Sequence, residues 1–291
     1  MKKNIYILIV LSSLLFACRK DVNVKLPDYK EKLVVEGSIE TGKNPVVLLS
    51  VSVPYFGTFD FSTPEKAFVK GAFVTVSDGT MIDTLSELDP TTGYFYLGTK
   101  ITGQVGKTYT LKVRYKSKEY SVQSTLLSPV PLDSLYFRWE EDSLGFIWQH
   151  FKEPVGLGNN YRWFSKRLNT KYKDNFFAAP LFSVFDDKFV DGKAFDFSYD
   201  RGPQPDKIQE WRDDPKRNWY RVGDTVAVKF THIGKTEYDF WYTYYQNKAS
   251  NSNPFSAPTN VKSMFGQQED VFGAFVAYST TFDTLVVKPK P

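Results

Sequence analysis

Alternation of apolar and polar residues dominates the chain and predicts β-strands. The clearest case is residues 109–115, YTLKVRY, in which every second residue is apolar. One apolar face and one polar face are what a half-buried antiparallel strand requires. A polar turn at 116–118 follows, and EYSVQS returns as the next strand. Asp78-Gly79 predicts a second hairpin, because glycine accepts the positive φ that tight turns need.

Similar runs predict further strands along the chain. They are residues 33–39, 46–53, 135–139, 145–151, 160–168, 181–185, 194–199 and 225–233. Aromatic residues make up 17% of the sequence, and together with short strands and frequent turns they favour β-sandwiches over a helical bundle. We predict a mainly β fold of two β-sandwich units of immunoglobulin or fibronectin type. The second unit is elaborated with long loops and one short helix.

Closely spaced prolines in residues 128–131, SPVP, predict the boundary between the units, because prolines interrupt a ladder and stiffen a linker. We place an immunoglobulin-like sandwich at 32–128 and an aromatic-rich β domain at 132–291. Residues 200–223 contain three prolines and predict a long ordered loop.

One segment, residues 236–249, departs from the β pattern. Four aromatic residues there recur at the spacing of one helix face: Tyr238, Trp241, Tyr242 and Tyr245. Thr236 followed by Asp239 resembles a capping pair. Alternate aromatic residues from 238 to 244 would fit a strand nearly as well, and we favour the helix.

The most apolar stretch, residues 5–17, follows a basic start and ends at the sole cysteine, Cys18. Its length suits a signal peptide and is shorter than the roughly 20 residues of a spanning helix. Leu15-Phe16-Ala17-Cys18 has the form of a bacterial lipobox. We predict a lipoprotein signal peptide at 1–17, lipidation of Cys18 and a tether at 18–31. An ordinary secretory signal beside an incidental cysteine is the alternative.

Lipidation determines the expected location of the protein in the cell. Two or more acyl chains hold a protein stably on a membrane, so we expect the mature chain at the outer membrane and favour the surface-exposed face over the periplasmic one. Removing residues 1–17, with two lysines and no acid, lowers the formal net charge from +4 to +2. A nearly neutral envelope protein does not suggest a nucleic-acid partner.

Candidate catalytic chemistry is sparse, and we predict no enzyme, cofactor or metal site. His150 and His232 each lie in a predicted strand and fit a histidine with an ordinary hydrogen bond. The sequence has no G-x-S-x-G elbow, phosphate-binding glycine loop or metal-binding cysteine pair. Residues 187–192 superficially suggest a calcium loop but lack the alternate-position oxygen ligands. Some acids in turn-like surroundings are candidates for a glycosidase pair: Glu140, Glu141, Asp186, Asp187, Asp213 and Asp214.

Aromatic and arginine residues gather in the proline-rich loop and are typical of interaction sites. The candidate ligand or partner contacts there are Trp211, Arg212, Trp219, Tyr220 and Arg221. Planar rings beside forked cations suit stacking on sugars or binding a partner chain. The alternative is that these rings pin the loop to the sandwich.

The C-terminal sequence NPFSAPTNV at 253–261, followed by VFGAFVAY at 271–278, carries a family resemblance. With the lipobox, KLVVEGSI and GKTYTLKV, it resembles an uncharacterised family of Bacteroidota-type outer-membrane lipoproteins, known as a domain of unknown function. The likeness spans nearly the whole mature chain. Asn253 and Phe255 are candidate docking contacts, and Gly273 predicts a close backbone approach.

The genes of that family are frequently found beside TonB-dependent receptors. The resemblance implies a noncatalytic lipoprotein, held by membrane lipid through Cys18, that serves a TonB-dependent β-barrel receptor by substrate capture or as a lid. A surface glycan hydrolase and an envelope-assembly or adhesion protein are the alternatives.

Overall fold

Strands make up most of the structure, a computed structural model that describes residues 29–53, 67–88, 94–168, 173–204, 216–250 and 260–290. The strands are β1 Leu33–Glu40, β2 Val46–Val51, β3 Phe73–Ser77, β4 Ile82–Thr84, β5 Ser86–Glu87, β6 Phe95–Leu97, β7 Thr108–Tyr115, β8 Lys118–Thr125, β9 Ser134–Trp139, β10 Leu144–Lys152, β11 Asn160–Arg167, β12 Val184–Asp186, β13 Ala194–Ser198, β14 Tyr220–Arg221, β15 Thr225–Ile233 and β16 Val271–Val286. One helix, α1, covers Lys235–Ser250 in this part of the chain. The predicted mainly β fold of sandwich type is confirmed.

The strands form three sheets within the described residues. The long sheet has the order β12-β11-β15-β16-β1-β2-β6-β5, and the other two have the orders β13-β10-β14, with β9 beside β10, and β4-β3-β7-β8. Strand β16 is central to the long sheet because its two halves have different partners. Residues 271–278 pair in parallel with β1, and residues 279–286 pair antiparallel with β15.

The first core lies between the β1 and β2 part of the long sheet and the β4-β3-β7-β8 sheet. Val35, Leu49, Val74 and Leu111 are fully buried in it. The alternation in the sequence explains this arrangement, since every second residue of each strand turns inward. Each such aliphatic side chain contributes about 1.5–3 kcal/mol on burial.

The second core is aromatic and lies between β10 with its neighbours and the β11 and β15 part of the long sheet. Phe151 is fully buried there, with its ring centroid 5.2 Å from those of Tyr161 and Phe230 and 5.7 Å from that of Phe195. Edge-to-face pairs of this kind stabilise a core beyond the area that they bury.

The helix packs on the other face of the long sheet and makes a third core, the helix-side core. Tyr238, Phe240 and Tyr245 of α1 are buried there with Phe164 of β11 and Val276 of β16. The predicted helix is confirmed, with one extra residue at each end. The predicted face is partly wrong, because Phe240 is buried whereas Tyr242 is 38% exposed.

The predicted capping pair of Thr236 and Asp239 is wrong. Thr236 already lies inside α1, so it cannot take the non-helical position of a cap. The carboxylate of Asp239 instead accepts hydrogen bonds from the ammonium groups of Lys235 and Lys262. The carbonyl of Gly234 accepts the backbone hydrogen bond of Tyr238 at 3.0 Å.

The predicted boundary at 128–131 lies in the irregular segment between β8 and β9. The long sheet nevertheless joins strands from both predicted units, and the described residues from Glu31 onward form one compact unit. The two predicted units are joined because the side chains of β16 alternate between two cores. Phe275 and Ala277 enter the first core, while Ala274 and Val276 enter the helix-side core.

Other differences from the predicted strands are local. The predicted strand at 181–185 overlaps β12, Val184–Asp186, at its last two residues, because Phe182 takes a positive φ of 58° in a turn. The predicted long loop contains the two-residue strand β14. The predicted hairpins are confirmed: Gly79 has a φ of 88°, and Lys116 and Ser117 have φ values of 46° and 62°.

Candidate ligand-binding site

A cleft lies on the face of the long sheet that carries α1. Its volume is about 270 Å³, near the lower end of the roughly 300–1,000 Å³ that ligand pockets span. Strands β1, β2, β6 and β16 line it from the sheet, and Phe240 and Trp241 line it from the helix. Arg162 of β11 completes the lining, and we call the site the Arg162 cleft.

The register of the sheet places the lining residues side by side. Glu36 of β1 pairs with Leu48 of β2 on one side and with Ala274 of β16 on the other. Leu48 in turn pairs with Phe95 of β6. Because side chains alternate along a strand, Glu36 faces the cleft while its neighbour Val35 is buried in the first core.

Arg162 is buried among aromatic groups. The residue is 6% exposed, and its Nη1 and Nη2 atoms donate to the hydroxyls of Tyr278 at 2.6 Å and Tyr245 at 3.1 Å. Its guanidinium carbon lies 3.4 Å from the ring centroid of Trp241. The Nε atom is buried and has no hydrogen-bond partner. A guanidinium has five N–H donors, so most of its donors remain unused.

The charge of Arg162 is not neutralised by an acid. Within the described part of the chain, no carboxylate forms an ion pair with it. Burial raises the pKa of Tyr278 to about 12, so that hydroxyl is neutral near pH 7. Burying an uncompensated charge costs of order several kcal/mol, and the cation–π contacts with Trp241 and Phe164 offset only part of it. The site therefore favours an added anion.

Glu36 supplies the negative charge of the cleft. It is exposed at the cleft surface, and among the described residues it makes no hydrogen bond or ion pair. Partial removal from water raises the pKa of Glu36, and the positive charge of Arg162 opposes that rise. Glu36 and Arg162 therefore interact across the cleft without contact.

A second pair of opposite charges on the same sheet face already forms an ion pair. Lys229 of β15 has its Nζ atom 2.6 Å from Oε1 of Glu40, and Lys43 binds the other oxygen of that carboxylate. Burial lowers the pKa of Lys229. Burial alone would raise the pKa of Glu40, but Lys229 and Lys43 hold it below its usual value. Among the described residues, Lys229 therefore has an acidic partner, whereas the buried Arg162 forms no ion pair with an acid.

A family model supports the assignment made from sequence motifs. The model described as "Domain of unknown function (DUF4249)" matches residues 19–283. The chain belongs to this family. No curated protein sequence matches the DUF4249 chain. A two-domain fibronectin type-III segment of chicken tenascin is 13% identical, covers 70% of this chain and 92% of its own, and has a TM-score of 0.20. We draw no conclusion from a similarity with so low a TM-score.

Several sequence-predicted contacts of the DUF4249 chain have a structural position. Tyr220 is fully buried in the aromatic core and donates to the Ser165 hydroxyl at 2.7 Å, so its prediction as a ligand contact is wrong. The ring of Trp219 lies 4.9 Å from that of Phe146, and the Arg221 backbone is bound by Asp224. Trp219 and Arg221 are half-buried and stay predicted contacts.

The remaining predicted sites lie outside the described residues. They are Cys18, Trp211, Arg212, Asn253 and Phe255. The predicted signal peptide and the predicted tether up to residue 28 lie outside as well. In the described part of the chain, no helix is both long and apolar enough to span a membrane.

Both histidines make the ordinary hydrogen bonds predicted for them. The Nδ1 atom of His150 lies 2.6 Å from Oδ1 of Asp196, and Nδ1 of His232 lies 2.7 Å from the carbonyl oxygen of Ser128. Burial lowers the pKa of His232, which keeps its ring neutral.

Two of the candidate acids, Asp187 and Glu141, make structural contacts in the described part of the chain. Asp187 is buried, and its carboxylate accepts the backbone N–H groups of Gly158 at 2.7 Å and Asn159 at 2.8 Å. Glu141 is bound by the ammonium group of Lys216. Asp213 and Asp214 lie outside the described residues. Among the residues that are described, no three His, Cys, Asp or Glu groups are arranged to hold a metal ion.

Sequence reasoning did not find Arg162. The available signal is its position in the predicted strand NYRWFSKR, where it stands between Tyr161 and Trp163. Alternation puts those two rings in the aromatic core and turns Arg162 to the opposite face. Only the packing of α1 on that face makes the arginine buried.

Proposed function

We propose that this protein is a noncatalytic lipoprotein of the outer membrane that captures a small ligand through an anionic group of that ligand and serves a TonB-dependent receptor. The observation that carries the proposal is the Arg162 cleft, in which a buried guanidinium faces an accessible cavity without an acidic partner. A buried cation of this kind gains more from an anionic ligand than an exposed one, because little water screens the interaction.

The composition of the cleft favours binding over catalysis. A guanidinium does not exchange protons near neutral pH, so Arg162 supplies a fixed charge and hydrogen-bond donors rather than acid or base chemistry. Among the described residues that line the cleft, Glu36 is the sole carboxylate. A glycosidase needs two carboxyl groups across the substrate, and the candidate acids Asp187 and Glu141 are held by backbone and lysine partners.

The proposed address rests on Cys18, and the proposed partner rests on the family resemblance. A lipid at Cys18 would hold the chain at the membrane while its β scaffold positions the cleft. The receptor would then take the ligand from a site on a rigid sheet, which keeps the binding residues in register.

Affinity purification of the full chain from outer membranes tests this proposal. The expected result is that a TonB-dependent receptor is recovered with the protein and that mass spectrometry finds a lipid on Cys18. The matched control is Cys18→Ser, which should leave the outer-membrane fraction and lose the receptor. Reproducible recovery of the lipidated protein without any such receptor would overturn the transporter role.

A further inference from the structure

Two side chains of opposite charge face the Arg162 cleft without pairing with each other. Arg162 comes from β11 and Glu36 from β1, and the positive charge of the first acts on the second across the cleft. Glu36 has no other hydrogen-bonding or ionic partner among the described residues. Opposite charges held apart by a rigid sheet leave room for a ligand that contacts both.

The electrostatics favour a ligand that carries both charges. A simple anion bound to Arg162 would bring a second negative charge close to Glu36, and like charges repel. A ligand with a carboxylate and a neighbouring ammonium group avoids that cost. Its carboxylate would meet unused donors of Arg162, which lines the cleft, in charge-assisted hydrogen bonds. Its ammonium would meet Glu36.

Most of the other lining residues are apolar. Val46, Leu48, Phe95 and Val276 line the sheet side of the cleft, and Phe240 lines it from α1. A hydrocarbon group of the ligand would remove this surface from water. The volume of about 270 Å³ suits one small molecule rather than an oligopeptide or an oligosaccharide.

We infer that the Arg162 cleft binds a free α-amino acid with an apolar side chain, an assignment that rests on the proposed capture function. The carboxylate lies on Arg162 and the ammonium group lies at Glu36. The apolar side chain lies against Leu48 and Phe95. Specificity comes from Glu36, which rejects organic acids that lack an amine.

Isothermal titration calorimetry of the full-length lipidated protein in detergent tests the assignment with three probes. L-leucine has both charges, N-acetyl-L-leucine lacks the ammonium group, and L-leucinamide lacks the carboxylate. We expect leucine to bind and each derivative to bind about tenfold more weakly or worse, because each loses one charged hydrogen-bonded contact.

A variant isolates the part played by Glu36. Glu36 is exposed, so the Glu36→Gln variant is expected to fold as the wild type does. It should bind leucine and N-acetyl-leucine about equally, whereas leucinamide should stay weak. Glu119→Gln, an exposed acid of β8 away from the cleft, is the matched control and should discriminate as the wild type does.

Two outcomes would overturn the assignment. One is N-acetyl-leucine binding to the wild type as tightly as leucine, and the other is no binding of leucine at all. Recovery of a receptor without amino-acid binding would overturn the assignment of the ligand but not the transporter role. Leucine binding without a receptor would support the ligand and overturn the transporter role.

Discussion

The guanidinium carbon of Arg162 lies 3.4 Å from the ring centroid of Trp241, and this contact joins strand β11 to helix α1. The ring shields one face of a cation that has no acidic partner within the described residues. The same ring lines the cleft. This contact therefore adds to the packing of the helix on the sheet, and it contacts the charge that we propose binds the ligand.

Replacing Trp241 is expected to weaken the fold. Trp241→Ala removes the cation–π contact and should lower the free energy of unfolding by about 2 kcal/mol. Trp241→Phe keeps an aromatic face and should lose less than about 1 kcal/mol. Urea unfolding of the two variants measures the difference. Equal losses would show that the ring over the cation does not stabilise the helix.

Arg162 and Arg167 are both buried, but replacing them should have different effects on stability. Arg162→Met removes an uncompensated charge, and that gain offsets the loss of two hydrogen bonds to tyrosines and of the cation–π contact with Trp241. We expect the free energy of unfolding to change by less than about 1 kcal/mol, while binding of the leucine probe is lost.

Arg167→Met is the matched control. Arg167 binds Asp174 through Nε at 3.1 Å and Nη2 at 2.8 Å, and the Asp174 side chain is fully buried. Removing Arg167 should cost about 3 kcal/mol, because the buried carboxylate then keeps only part of its compensation. Guanidinium chloride unfolding distinguishes the two cases. A loss for Arg162→Met as large as that for Arg167→Met would contradict the view that Arg162 is unpaired.

Glu237 of α1 should make stability depend on pH. It is buried, and its carboxyl group accepts a hydrogen bond from Ser124, whose hydroxyl accepts the Ala277 backbone N–H at 2.7 Å. Burial raises the pKa of Glu237 above its ordinary 4.5. The protonated form therefore stabilises the fold below about pH 4.5, and this contribution is lost as the pH rises through the raised value.

Glu237→Gln tests that direction. The amide keeps an acceptor for Ser124 and has no charge, so the variant should be more stable than the wild type at pH 7. The difference in the free energy of unfolding should shrink toward zero near pH 4, as measured by urea unfolding at both pH values. A difference that does not change with pH would mean that Glu237 ionises without cost.

Gly273, the one glycine of β16, is expected to tolerate replacement poorly. Its φ is +135°, and a Cβ atom there would lie 1.9 Å from the carbonyl oxygen of Val35 on the paired strand. This confirms the close backbone approach that the sequence predicts. Gly273→Ala should lower the free energy of unfolding by about 4 kcal/mol or more, because the backbone of the paired strand, rather than a flexible side chain, must move.

Gly266→Ala is the matched control for Gly273→Ala. Gly266 has a φ of +69° but no atom within 4 Å of an added Cβ. Gly266→Ala should lower the free energy of unfolding by only about 1 kcal/mol, because the positive φ is then the only source of strain. Thermal unfolding of both variants separates strain from steric clash, and similar costs would contradict the close contact.

Sequence patterns located most of the elements because secondary structure depends on local alternation. Residues 225–233 form a strand with the predicted bounds, and α1 differs from prediction by one residue at each end. Strands β5, β6 and β14 were missed, because a run of two or three residues is too short to display a period. The buried face of α1 was only partly predicted, since Phe240 turns inward to meet Phe272 of β16.

The sequence by itself determined the mainly β class, the single helix of the described chain and the need for glycine at position 273. It also carries the lipobox and the family motifs. The tertiary structure alone decided the Arg162 cleft. Arg162 and Glu36 are far apart in the chain and share a cleft only because β16 pairs with β1 on one side and β15 on the other. Such long-range pairing leaves no local pattern, because each strand alternates in the same way whichever neighbour it has.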